Sequence, residues 1–212
     1  VKDVPISEER RNRKVELISD LKEALQNKGI LFTMIMFFLI QVCVMLLQPL
    51  ITMYVGQLMG QVNDEAVQMA GVIFSLAGIS GILAAPFWGK RGQRYGYVKT
   101  FCYITFGAGV VNLLQFFTTD VYQFAVVQFI YGLFLAGAIP NINANLAEVT
   151  DKSIRGKAFG LVTSAQMSGG FVGPLLGGAL GYFLPTKLVI ISTGIILISV
   201  AGYTYLKKIK EL

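Results

Sequence analysis

Residues 158–186 read AFGLVTSAQMSGGFVGPLLGGALGYFLPT. The stretch holds no charged side chain, and apolar runs above about 18 residues suit the hydrocarbon core of a bilayer. Gly169, Gly173, Gly177 and Gly181 recur every four residues, a drifting stripe along one face of a helix. A face without side chains lets a neighbouring helix approach closely. Pro174 lacks the N–H that would reach the carbonyl of Gly170, so it adds a bend. Gly160 falls roughly on the opposite face. A small-residue packing face explains part of this pattern. The whole spacing, Gly160-x8-Gly169-x3-Gly173-Pro174-x2-Gly177-Gly178, is more specific than a lone GxxxG.

Five more uncharged runs flank it, at 30–54, 66–88, 100–119, 121–147 and 188–206. Each is long enough to cross about 30 Å of hydrocarbon as a helix rising about 1.5 Å per residue. None shows the polar alternation of a barrel strand. The expectation is an all-α membrane protein with six spans over 30–206, a polar segment at 1–29 and a short tail at 207–212. Composition agrees: 54% of residues are hydrophobic and 14% charged, against about 25% charged in a soluble domain. Within 1–29, Val15, Ile18, Leu21 and Leu25 recur at helical spacing among Lys14, Glu16, Lys22 and Glu23. That pattern suits an amphipathic helix on the membrane surface, or equally a partly ordered linker. The first stretch is polar rather than a cleavable leader, and with Val1 in first place a fragment of a longer chain is expected.

The basic residues set the orientation. They fall in the leading segment (Lys2, Arg10, Arg11, Arg13, Lys14, Lys22, Lys28), after the second run (Lys90, Arg91, Arg94, Lys99), after the fourth (Lys152, Arg155, Lys157) and at the end (Lys207, Lys208, Lys210). With six spans all of these share one side, and Lys187 alone faces the other, beside Asp64, Glu65 and Asp120. The excess marks the cytoplasmic face, so both termini are expected in the cytoplasm of a cell-membrane protein. The net charge of +6 and pI near 9.3 therefore point to anionic lipid and not to nucleic acid.

Several chemistries lack their parts. There is no histidine, and Cys43 and Cys102 sit singly in apolar runs. A zinc site, a disulfide framework and a Cys/His nucleophile are not expected; no metal, cofactor or enzymatic activity is anticipated.

Two loops carry further motifs. Gly89-Lys90-Arg91-Gly92-Gln93-Arg94-Tyr95-Gly96, followed by Lys99, stands between the second and third runs. Gly89 and Gly96 permit a tight turn, and Arg94 can meet helix-end carbonyls or a carboxylate. DKSIRGKAFG, from Asp151 to Gly160, opens the fifth run. Together with the glycine spacing, these motifs resemble the major facilitator superfamily, and in particular its drug:proton antiporters. The glycine motif is similar to the antiporter motif of that group, the first loop to its signature loop between the second and third helices of each half, and Arg155-Gly156 to the loop between the fourth and fifth. Gln93 stands where the family usually has aspartate, which weakens any ionic latch and suits a second-half copy. Gln41, Gln48-Pro49 and Tyr54 look like the seventh helix of the group, so the six runs would be helices seven to twelve.

The resemblance implies that the first, second, fourth and fifth spans face a cavity. Met34, Gln41, Met45, Gln48 and Thr52 share a face of the first span. Mid-membrane glutamines are costly unless they face water or partners, so they serve either a cavity or helix-to-helix glue. Methionines supply a soft, adaptable surface. The expected substrate-binding set is Gln41, Met45, Gln48, Asn141, Asn145 and Gln166, with Phe74, Phe134 and Phe171 as possible aromatic contacts. Gly89, Arg94, Gly96, Glu148, Asp151 and Arg155 are expected as cytoplasmic gating positions, the two carboxylates pairing with Arg155 or Arg94. No span contains a charge, so a coupling carboxylate is expected in a missing N-terminal half. The expected partners are membrane lipid, a small lipophilic substrate, protons and that other half. A facilitator-type carrier of sugars or metabolites is the alternative, and a non-transporting membrane subunit a more distant one.

Overall fold

A computed structural model describes residues 26–210; of the segments expected at 1–29 and 207–212, residues 1–25 and 211–212 lie outside them, and 207–210 continue the last helix. The described residues form seven α-helices: α1 Lys28–Leu58, α2 Asp64–Tyr95, α3 Tyr97–Leu114, α4 Val121–Leu135, α5 Ala138–Val149, α6 Arg155–Phe183 and α7 Thr186–Lys210. A 3-10 turn at Gln115–Phe117 closes α3.

Polar residues at the edges of the apolar runs start the helices. The Asn27 side chain accepts from the N–H groups of Gly29 and Ile30, Asn63 from Ala66, and Asp120 from Tyr122 and Gln123. Each satisfies donors that a helix N-terminus leaves open. Asp64 and Glu65 in the first turn of α2 complement the helix dipole.

Two boundaries differ from the sequence expectation. First, α2 runs on through the basic segment to Tyr95. Gly89 is therefore helical and makes no turn; Gly96 alone turns the chain, at φ 93° and ψ 137°, a conformation that a Cβ disfavours. Second, the run at 121–147 is two helices, broken at Ala136 and Gly137. Counting α4 and α5 as one crossing, five segments are long and apolar enough to span a membrane. The sixth, α6, is 29 residues long, ample for about 30 Å of hydrocarbon. Its glycines and serines lower its apolar character, and it lies along α1.

The helices pair α1 with α6, α3 with α7, and α2 with α4. Exchanging the first three crossings with the last three maps the α1–α6 pair onto α4–α2 and leaves α3–α7 in place. That is the pairing an internal three-plus-three repeat produces. Each seam closes over small residues. A Cβ on Gly109 would stand 2.9 Å from the Gly194 carbonyl oxygen, and one on Gly194 3.1 Å from that of Gly109. Beside them Asn112 Nδ2 donates to Thr193 Oγ1 at 2.8 Å. At the α2–α4 seam a Cβ on Gly132 would fall on Ser80 Oγ. Lys28 and Gly29 of α1, Val98 of α3, Val149 of α5 and Lys207 of α7 line one pocket, so the cation-bearing ends of the helices gather at one end of the bundle.

Candidate functional site: a neutral groove beside a broken helix

A groove of about 340 Å³ opens between α1, α2, α4 and α5. Gln41, Met45 and Gln48 form the α1 wall, faced by Phe74 and Gly81 of α2, Gln128 and Tyr131 of α4, and Ile139 of α5. Gln166 of α6 reaches the same wall, its Nε2 donating to Gln41 Oε1 at 3.4 Å. Across the groove Gln128 Oε1 accepts from Gln115 Nε2 at 2.8 Å. The Tyr131 hydroxyl is buried without a hydrogen-bond partner among the described residues. Tyr131 therefore lines the groove as an apolar ring, and the side-chain polar groups at its surface are the amides of Gln41, Gln48 and Gln128; among the described residues no charged side chain lines it. Such a lining offers hydrogen bonds at scattered points on an apolar wall, as small-molecule sites do.

The structure thus brings Gln41, Met45, Gln48 and Gln166 together, and adds Gln128 and Tyr131. Those two were readable only as a polar pair three residues apart on one helical face. Asn141 and Asn145 do not join the groove. Asn141 is buried, its Nδ2 donating to the carbonyls of Gly137 and Trp88. Asn145 lines the pocket at the cationic end. Of the three phenylalanines, Phe74 lines the groove, Phe134 stacks at a tilt on Trp88, and Phe171 is exposed.

The glycine stripe of α6 stands directly behind the α1 wall. A Cβ on Gly169 would lie 2.7 Å from the Phe38 carbonyl oxygen and 3.0 Å from Gln41 Cβ. On Gly173 it would lie 2.7 Å from Met45 Cβ, and on Gly177 it would fall on the Leu46 carbonyl. Gly181 seats Leu50. Gly160 and Gly178 have open space where a Cβ would go. The motif therefore divides into residues that touch α1 and residues that do not. Pro174 lies inside the helix between the two central contacts.

The break between α4 and α5 closes the other side. In an unbroken helix the Gly137 N–H would reach the Leu133 carbonyl; here it donates to Phe134 O at 3.2 Å. The indole of Trp88 takes over the released carbonyl, with Nε1 to Leu133 O at 2.7 Å. A Cβ on Gly137 would sit 2.5 Å from the Trp88 side chain. Pro140 falls in the first turn of α5, where a missing N–H costs little.

The expected gating set resolves differently. Gly96 makes the turn and Gly89 does not. Gly92 instead takes the close contact, since a Cβ there would fall on Asn141 Oδ1. Among the described residues neither Glu148 nor Asp151 forms an ion pair with Arg155 or Arg94. Arg155 Nη2 donates to the carbonyls of Ala147 and Thr150, acceptors that the C-terminus of α5 leaves open. Arg94 stacks on Tyr95 at 5.4 Å. Unpaired carbonyls closer than either carboxylate win the guanidinium. Arg155→Gln is accordingly expected to cost about 1.5 kcal/mol, the lower end for a charge-assisted bond, read as a lowered melting temperature in detergent. Asp151→Asn should leave the melting temperature within error; an equal drop there would restore the ionic latch.

The family model of the Major Facilitator Superfamily matches residues 30–210. The chain belongs to that family. This facilitator chain is also similar to "Multidrug resistance protein MdtG" of Yersinia enterocolitica (serotype O:8 / biotype 1B), 33% identical over 136 residues, 64% of this chain and 32% of that protein. The protein of the same name from Escherichia coli O1:K1 / APEC is 32% identical over 136 residues, 64% of this chain and 33% of that protein. The match thus spans about a third of the length of these curated relatives. With its long apolar helices, this facilitator chain is a multi-pass membrane protein.

Proposed function

We propose that this chain is the C-terminal half of a proton-coupled exporter of lipophilic drugs, and that the groove between α1, α2, α4 and α5 is its share of the substrate site. The observation that carries the reading is the lining: Gln41, Gln48 and Gln128 set among Met45, Phe74 and Tyr131, with no charge. A site of this kind takes bulky apolar molecules that differ in shape, because methionine and scattered amides impose no single geometry. A sugar site would call for denser polar contacts than three amides supply. The likeness to proteins named for multidrug resistance supports the same reading.

In this reading the cationic end of the bundle faces the cytoplasm of the cell membrane. The other half of the protein completes the site, since facilitator sites lie between repeats. That half also supplies the carboxylate that couples transport to protons. Arg155 and the turn it holds then form part of the cytoplasmic gate.

Dye efflux from cells carrying the full-length protein tests this. Gln41→Leu with Gln48→Leu should weaken export of hydrogen-bonding dyes about fivefold for each bond lost, from about 1 kcal/mol per bond. Export of purely hydrocarbon-rich dyes should hold or rise, at unchanged protein abundance. An uncoupler should stop both. Identical dye profiles in the variant and the parent would remove the groove from the substrate path, and efflux indifferent to the uncoupler would remove the proton coupling.

A further inference from the structure

On the far side of α1 from the substrate groove, a second groove of about 500 Å³ runs along the seam between α1 and α7. Leu31, Ile35 and Leu39 form one wall and Ile196, Ser199 and Tyr203 the other, over a floor of Met36 and Val200. The Ser199 hydroxyl donates to the Ile195 carbonyl at 2.8 Å, so it adds little polarity to the wall. Lys28 and Lys207 stand together at one end. The ring of Phe32 holds the Lys207 ammonium 4.2 Å from its centroid, which fixes that charge near the mouth. Tyr203 is 59% exposed on the rim, an amphipathic ring of the kind found at headgroup depth.

The length of the groove is informative. Lys28 to Leu39 on α1, and Lys207 back to Ile196 on α7, each cover about 16 Å at about 1.5 Å per residue. Half of a hydrocarbon core of about 30 Å is about 15 Å. The groove thus begins at two cations and ends near the bilayer midplane, the depth of a single leaflet.

We propose that this seam holds one anionic phospholipid, its phosphodiester between Lys28 and Lys207 and one acyl chain laid along Leu31, Ile35 and Ile196. The two ammoniums donate charge-assisted hydrogen bonds to the phosphate oxygens. The negative headgroup is what separates this occupant from bulk zwitterionic lipid, which would fill the apolar limb equally well. The site is independent of the export reading, since it needs only a bundle that spans the membrane.

Native mass spectrometry of the full-length protein in detergent, titrated with dioleoylphosphatidylglycerol or dioleoylphosphatidylcholine, tests it. A lysine near an anionic headgroup contributes about 1 kcal/mol, or about fivefold. The wild type should therefore retain one phosphatidylglycerol about 25-fold more tightly than phosphatidylcholine. Lys28→Gln with Lys207→Gln should bring the two lipids to parity, and Lys28→Arg with Lys207→Arg should keep the preference. Ser199→Trp, which fills the apolar limb and leaves both charges, should abolish retention of either lipid. Equal retention of the two lipids by the wild type, or no retained lipid at all, would overturn the proposal without need of any variant. So would a Gln/Gln variant that keeps the preference, or a Ser199→Trp variant that still binds.

Discussion

Gly177→Leu is expected to leave little folded protein in the membrane. At this position a Cβ would fall on the Leu46 carbonyl, with the Leu46 carbonyl carbon 3.0 Å away. Backbone, unlike the tip of a side chain, cannot swing aside, so the helices must part. Parting at Gly177 also opens the contacts at Gly173 and Gly181, because all three lie on one seam with α1. Overpacking of a tight interface costs about 1–3 kcal/mol and at times more, and a branched side chain against backbone belongs at the upper end. The control lies inside the same motif. Gly178→Leu and Gly160→Leu enter open space, so neither should disturb the bundle. Membrane abundance and melting temperature, followed by fluorescence-detected size exclusion, give the comparison. If Gly178→Leu falls as far as Gly177→Leu, the contact with α1 is not what these glycines serve in folding.

The second large effect is expected at Trp88. Trp88→Ala empties the space against Gly137 and strips the Leu133 carbonyl of its donor. Trp88 is partly buried, so its truncation should cost about 2–3 kcal/mol, below the about 3–5 kcal/mol of a fully buried tryptophan. Trp88→Phe keeps most of the volume but leaves the carbonyl unpaired, at about 1–3 kcal/mol. Gly137→Ala reaches the same contact from the other side, since its Cβ would meet the Trp88 side chain at 2.5 Å. The two sites should therefore couple: Gly137→Ala should lower the melting temperature sharply in the wild type and far less in Trp88→Ala. Strictly additive losses, given how close the two residues lie, would mean that the break in the fourth crossing does not depend on the indole.

Much of the architecture could be read from the chain because membrane crossing is nearly a one-dimensional property. A charge-free run of sufficient length commits a segment to the bilayer, and the alternation of basic loops counts the crossings. The glycine spacing was legible for a similar reason, since positions four apart share a helical face whatever surrounds them. The break at Ala136 and Gly137 was not legible. Pro140 announces a distortion, but its place depends on Trp88, whose indole, 45 positions before Leu133, donates to that residue's freed carbonyl. Asn141 and Gln128 show the same limit from opposite sides. Both are polar residues in the middle of a run. Only the neighbouring helices decide that Asn141 stitches α5 to α2 while Gln128 faces the groove. Arg155 shows how nearness in sequence misleads: Glu148 and Asp151 lie close along the chain, yet the carbonyls at the end of α5 lie closer in space.

The closeness of α6 to α1 has a consequence for what the groove can admit. Gln41 and Met45 have the groove in front of them and glycine behind, with no side chain in between. The thickness of that partition is set by what α6 lacks. One methyl added at Gly169 or Gly173 would have to be absorbed by forward displacement of the α1 wall, narrowing the opening from the rear. The glycines would then act as a caliper on the width of the groove without ever lining it.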